Sequence, residues 1–201
     1  MTKSLQRIDA AAFLNSHDNY VILTHIRPDG DTLGSASALC LGLRSLGKTA
    51  HVLVNPGVSQ RYGWMVEGLT VEEAGKDDTV VSTDVASPGM LPENAKPYLG
   101  RVALRIDHHG SATSFSDLEL VDPDSASCAE VVFDVLENMN WRRSPQVLDR
   151  IYVGLSTDTG CFRFANTTAH AFRVAAACAE GGARVYELNQ VLFETNTLGK
   201  L

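Results

Sequence analysis

The sequence predicts an α/β fold: a mainly parallel β-sheet flanked by helices on both faces. Three observations carry this expectation. Short apolar runs alternate along the chain with longer segments of helical periodicity, the pattern of strand–helix–strand units. Three of the apolar runs end in chemically conspicuous residues, His25, Asp84 and Asp107-His108-His109, and ligands in open parallel sheets collect at the carboxyl ends of strands. No internal repeat or low-complexity linker breaks the pattern. With 201 residues, 44% of them hydrophobic, the chain can bury one sizeable core, as one large domain or one domain plus a fragment of a second.

The elements follow in order. "SLQRIDAAAFLNSH" reads as an amphipathic helix ending near Asn15, and "YVILTH", 20–25, as a buried strand. "DTLGSASALCLGLRSLG", 31–47, is an Ala/Leu-rich helix that Gly47 can cap. "AHVLVN", 50–55, is the next strand, and 56–75 holds a short helix. Strands are expected at 78–84, at 101–109 and in "LELVDP". "SASCAEVVFDVLENMN", 125–140, is a helix, and "SPQVLDRIYVGLSTDTG" begins another with a Ser-Pro pair suited to a helix start. "TTAHAFRVAAACAEGG" is a helix stopped by Gly181 and Gly182, and "RVYELNQVLFET" is the last one.

Composition excludes some functions. Seventeen Lys and Arg against 24 Asp and Glu leave a net charge of −7, which argues against sequence-blind binding of duplex DNA. A small phosphorylated substrate stays compatible, because carboxylates that hold divalent cations create a locally positive site. No apolar run approaches the ~20 residues of a membrane span, and "MTKSLQRIDA" lacks the apolar stretch of a signal peptide. Cys40, Cys128, Cys161 and Cys178 form no C-x-x-C pair. They read as free thiols, and the expected location is the cytoplasm.

Four segments carry the chemistry. In "HIRPDGD", Pro28 and Gly30 shape a turn able to aim Asp29 and Asp31 to the side of His25; taken alone, Asp31 also fits a helix cap. "VVSTD" adds Asp84, which alone would suit a turn. "RIDHHG" places Asp107, His108 and His109 at a buried strand end, where packing does not explain two histidines. "GLSTDTGCFRF" adds Asp158, with Arg163 five residues on. One shared site accounts for all four together. Several ionised carboxylates need cations between them. Oxygen and imidazole donors without thiolate suit Mn²⁺ or Mg²⁺, and the donor count suits two ions. Ser127 and Cys128 open a helix that could also offer amides to phosphate, whereas His17, His51, His170, Cys161, Tyr62 and Trp64 read as surface or packing residues.

These motifs, in this order from about residue 5 to 195, resemble the DHH phosphoesterases, which include RecJ-like exonucleases, family II inorganic pyrophosphatases and the bifunctional oligoribonuclease/pAp phosphatases (nanoRNases). The resemblance implies a Rossmann-like DHH catalytic domain over 1–195. It implies that His25, Asp29 and Asp84 hold one Mn²⁺, and that Asp31, Asp84, His108 and Asp158 hold the other, with Asp84 bridging. His109 would face the scissile phosphate as hydrogen-bond donor or acid, Asp107 would orient the histidine pair, and Arg163 would clamp phosphate. The "DTGCFRF" and "NTT" segments resemble the nanoRNase branch most. The implied substrates are therefore short RNA or pAp, with pyrophosphate or linear dinucleotides, or non-catalytic nucleotide binding, as the alternatives. The resemblance also implies a soluble protein that can pair as a homodimer. Full-length members carry a second, DHH-associated domain, and nothing like its glycine-rich motif occurs here. Residues 196–201 read as the start of a linker, and without the second domain the expectation is metal binding with weak or no activity on oligonucleotides.

Overall fold

The computed structural model of the chain describes residues 2–111 and 113–194. Seven strands form one sheet: β1 (Lys3–Ser4), β2 (Tyr20–Leu23), β3 (Ala50–Leu53), β4 (Thr70–Val71), β5 (Thr79–Thr83), β6 (Val102–Asp107) and β7 (Leu118–Val121). Their order across the sheet is β1-β7-β6-β5-β2-β3-β4, and every pairing is parallel. The chain runs outward from β2 through β3 to β4, then returns to the other side of β2 for β5, β6 and β7. The strand order therefore reverses between β2 and β5. A crevice opens at such a reversal, outside the carboxyl ends of the strands.

The helices are α1 (Arg7–Ser16), α2 (Gly30–Ser45), α3 (Cys128–Asn138), α4 (Pro145–Asp158), α5 (Ala169–Glu180) and α6 (Val185–Asn189). Four of them start at side-chain caps. Asp29 accepts from the amides of Asp31 and Thr32 at α2, Ser127 from Glu130 at α3, Ser144 from Val147 at α4, and Thr168 from Ala171 at α5. At the end of α2, Gly47 takes φ +79° while its N–H reaches the Arg44 carbonyl and that of Lys48 reaches Leu43, the double bond of a Schellman stop.

Helical segments cover both faces of the sheet, but unequally. The six α-helices share one core with Tyr20, Ile22, Val52, Val81, Leu104, Ile106 and Leu120. The other face, carrying Val21, Leu23, Leu53, Val80 and Val102, is covered by short 3₁₀ turns at Pro88–Met90 and Lys96–Arg101 and the residues around them. Helix α2 is central: 13 of its 16 residues are buried. Small residues let α4 lie against it, since a Cβ on Gly34 would sit 2.6 Å from the Arg150 carbonyl.

Several elements differ from the expectation. β1 and β4 have two residues each, too short to show a period, and exist through their pairing with β7 and β3. The apolar runs at 20–25 and 101–109 overshoot their strands, because the chain leaves the sheet at Thr24 and after Asp107. The last helix is α6 followed by a π-turn at Gln190–Glu194. The expected boundary at 195 and linker at 196–201 lie outside the described residues. Among the described residues no helix is long and apolar enough to cross a membrane.

Candidate metal centre

The crevice between β2 and β5 gathers the polar residues that follow the strands. β2 delivers His25, the start of α2 delivers Asp29 and Asp31, β5 delivers Asp84, β6 delivers Asp107 and the two histidines, and the last residue of α4 is Asp158. Asp84 adopts φ +57°, a left-handed conformation unfavourable to most side chains, which turns the chain just after β5. Its N–H is held by the Ile106 carbonyl at 3.0 Å.

The distances define three overlapping groups. His25, Asp29 and Asp84 form one; Asp31, His108 and Asp158 form another; Asp84, His108 and His109 form the third, with the donor atoms of each group within 4.8 Å of one another. His108 Nε2 lies 3.2 Å from Asp158 Oδ2, 3.7 Å from Asp31 Oδ2 and 3.7 Å from Asp84 Oδ1. His25 Nε2 lies 3.6 Å from Asp84 Oδ2. Asp84 and His108 each belong to two groups, so the three groups form one continuous cluster of donors.

Each donor is supported from behind. Asp31 is almost fully buried, and its two oxygens accept from the amides of Cys128 and Ala129 at 2.7 and 2.8 Å. Those are the first amides of α3, so the helix start that could have offered amides to phosphate is taken by Asp31, whose negative charge suits that helix end. Asp107 Oδ1 accepts from His109 Nδ1 at 2.8 Å and from the amides of His108 and His109 at 2.7 and 3.2 Å. The Ser125 carbonyl accepts from His108 Nδ1 at 3.4 Å.

Three contributors escaped the sequence reading. Thr32 Oγ1 lies 2.5 Å from His25 Nε2 and 2.6 Å from Asp84 Oδ2. Its only signal is its place three residues after the capping Asp29. Arg105, fully buried, pairs with Glu119 at 3.0 Å, bonds the carbonyls of Ala86 and Thr113, and stands 3.9 Å from Asp107. Asn55 donates to the His25 carbonyl at 2.8 Å and so fixes the loop after β2. In the sequence Arg105 and Asn55 look like ordinary strand-end residues.

The electrostatics show what the cluster lacks. Burial, reinforced by Asp29, pushes Asp84 up from 3.8 to about 7 although Thr32 donates to it. Burial and the neighbouring Asp84 and Asp158 drive Asp31 far above the usual carboxylate range. Burial would lower His108, but its contact with Asp158 and the surrounding carboxylates raise it from 6.5 to about 9. Asp84 Oδ1 is buried without a hydrogen-bond partner. Carboxylates this close repel one another in their charged state. Divalent cations between them would remove the conflict, and the oxygen–imidazole donor set fits Mn²⁺ or Mg²⁺.

Arg163 is not brought to this cluster. Its Nε donates to the Gly160 carbonyl at 2.6 Å, and it lines a separate cavity of about 300 Å³ with Cys161, Asn189 and Phe193.

The sequence and the fold have counterparts in known proteins. Residues 19–155 match the DHH family, N-terminal domain. The chain belongs to the DHH family. It is 36% identical over 173 residues to the bifunctional oligoribonuclease and PAP phosphatase NrnA of Thermus thermophilus, a match covering 85% of this chain and 52% of that protein. The protein of the same name from Bacillus subtilis is 27% identical over 190 residues, covering 90% of this chain and 59% of that one. The DHH chain described here thus spans about half the length of the curated relatives it matches. Among solved structures, an exopolyphosphatase-related protein from Bacteroides fragilis superposes with a TM-score of 0.79 at 24% identity, over 96% of this chain and 62% of that one. This likeness bears out the mainly parallel α/β fold.

Proposed function

We propose that the chain is a Mn²⁺-dependent phosphoesterase domain that hydrolyses phosphate esters of short oligoribonucleotides or pAp. One observation carries the reading: Asp84 and His108 are each shared between neighbouring donor groups, which supports a pair of cations held by common ligands. The names of the Thermus and Bacillus relatives, bifunctional oligoribonuclease and PAP phosphatase, support the substrate class.

His25, Asp29 and Asp84 would hold one ion, and Asp31, Asp84, His108 and Asp158 the other. When bound, a cation pair lowers the pKa of a water and stabilises charge on the phosphoryl and leaving oxygens. The chain's own groups do the rest. Thr32 holds Asp84 and His25 in one orientation. Asp107 binds His109 at Nδ1, which leaves Nε2 of that half-exposed ring to face a phosphate. The same hydrogen bond raises the pKa of His109 and so favours the protonated ring, which could give its Nε2 proton to the leaving oxygen. Arg163, on the exposed turn after α4, would meet the distal part of a longer substrate rather than the scissile phosphate.

Incubation with Mn²⁺ and, separately, pAp, two- to five-nucleotide RNA, pyrophosphate and linear pApA tests this reading. Release of nucleotide or phosphate from the first two is expected. Turnover of pyrophosphate alone would move the protein to another branch of the family, and binding without turnover of any of them would contradict the proposal.

A further inference from the structure

The turn between β7 and α3, residues 122–127, is linked to three of the candidate ligands, directly to one and through neighbouring groups to the other two. The Ser125 carbonyl holds His108 at Nδ1 (3.4 Å). The amides just beyond the turn, of Cys128 and Ala129, hold Asp31. Asn166 Nδ2 donates to the Ala126 carbonyl at 3.0 Å and to the Asp158 carbonyl at 3.2 Å, tying the end of α4 to the same turn. Asp31, His108 and Asp158 are together one of the three donor groups. Among the described residues, the side chains of His25, Asp29 and Asp84 hydrogen-bond instead to Arg27, Asp31 and Thr32, away from this turn.

Arg7, from the distant α1, fastens the turn. Its Nη2 donates to Asp122 Oδ2 at 2.5 Å and to Ser125 Oγ at 2.8 Å, and its Nε donates to Asp134 Oδ2 on α3 at 2.8 Å. Ser125 Oγ in turn donates to Asp122 at 2.9 Å. One planar guanidinium therefore bridges the turn to the helix that follows it, a geometry the lysine ammonium does not reproduce.

We propose that Arg7 and Asn166 are positioning residues for one ion site only, that of Asp31, His108 and Asp158; the inference rests on the two-cation reading above. A carbonyl fixed at Nδ1 keeps the proton on that nitrogen and leaves the Nε2 lone pair for the ion. Freeing the turn lets the His108 ring and the Asp31 clamp move together. Loss of such outer support costs about 10- to 100-fold in metal affinity.

Calorimetric titration of the full chain with Mn²⁺ alone tests it, comparing wild type with Arg7→Met, Arg7→Lys and Asn166→Ala, each checked by thermal unfolding. Wild type gives two binding events. In Arg7→Met and Asn166→Ala one event weakens by at least about tenfold and the other stays within about twofold, with Arg7→Lys between them. Unchanged events in both variants would overturn the proposal. So would equal weakening of both events, which would signal a general folding role. If Arg7→Met does not fold, Asn166→Ala, whose side chain is exposed, carries the test. Absence of any Mn²⁺ binding by wild type would instead overturn the two-cation reading itself.

Discussion

Asp84 is the residue on which most of the site converges. It belongs to two donor groups, sits in a left-handed turn and has a buried oxygen without a hydrogen-bond partner. If it bridges two ions, Asp84→Asn removes both and lowers turnover of pAp with Mn²⁺ by at least about a thousandfold; near-wild-type hydrolysis would refute the assignment. Its ionisation also has a consequence for stability. With a folded pKa of about 7 against 3.8, Asp84 binds more protons in the folded protein than in the unfolded chain between those values. Stability therefore falls as pH rises through that window. His108, raised from 6.5 to about 9, adds stability that is complete below the lower value and lost as pH passes the higher one. The two signs agree. Metal-free protein should melt at a lower temperature at about pH 9 than at about pH 6, and Mn²⁺ should raise the melting temperature more at the higher pH, because the ions bind the deprotonated donors. A metal-free melting temperature that rises over this range would contradict the description. The acidic and histidine residues of the cluster were legible in the sequence because their chemistry is unusual at strand ends. Thr32, Arg105 and Asn55 were not, because their roles exist only through partners distant in the chain.

At the scale of elements, the site depends on how closely α2, α3 and α4 approach. Asp31 on α2 is clamped by the first amides of α3, and Gly154 on α4 leaves room for it: a Cβ there would lie 2.5 Å from Ala129 Cβ and 2.8 Å from Asp31 Oδ1. Gly154→Ala should therefore destabilise the protein by about 1–3 kcal/mol through overpacking and weaken Mn²⁺ binding in the same variant. Urea unfolding with a parallel Mn²⁺ titration checks both effects; unchanged stability and affinity would mean that the three helices do not set the geometry. The helices were largely legible from caps and periodicity, since Ser127, Ser144 and Thr168 act locally. β1 and β4 were not, because two-residue strands are defined by their neighbours' hydrogen bonds. The 3₁₀ cover of one sheet face was missed as well. Its segment around Pro88 to Arg101 has no helical period, and its burial comes from the sheet beneath it.

For the whole molecule, the all-parallel sheet makes the site. The strand order reverses once, between β2 and β5, and the two strands flanking the reversal deliver His25 and Asp84. β6, next to β5, delivers Asp107 and the histidine pair, while α4 returns along the helical layer to bring in Asp158. Residues separated by more than a hundred positions meet because their strand or helix ends share one edge of the sheet. The excess of acidic residues over the whole chain gives no such focus; among the described residues, the donor groups close enough to hold a metal ion all lie in the crevice. The most direct test is anomalous diffraction from a crystal loaded with Mn²⁺. Two peaks about 3.5–4 Å apart are predicted, both touching Asp84, one beside His25 and Asp29 and the other among Asp31, His108 and Asp158. No peak in the crevice, or manganese bound elsewhere on the surface with these side chains unliganded, would contradict the account.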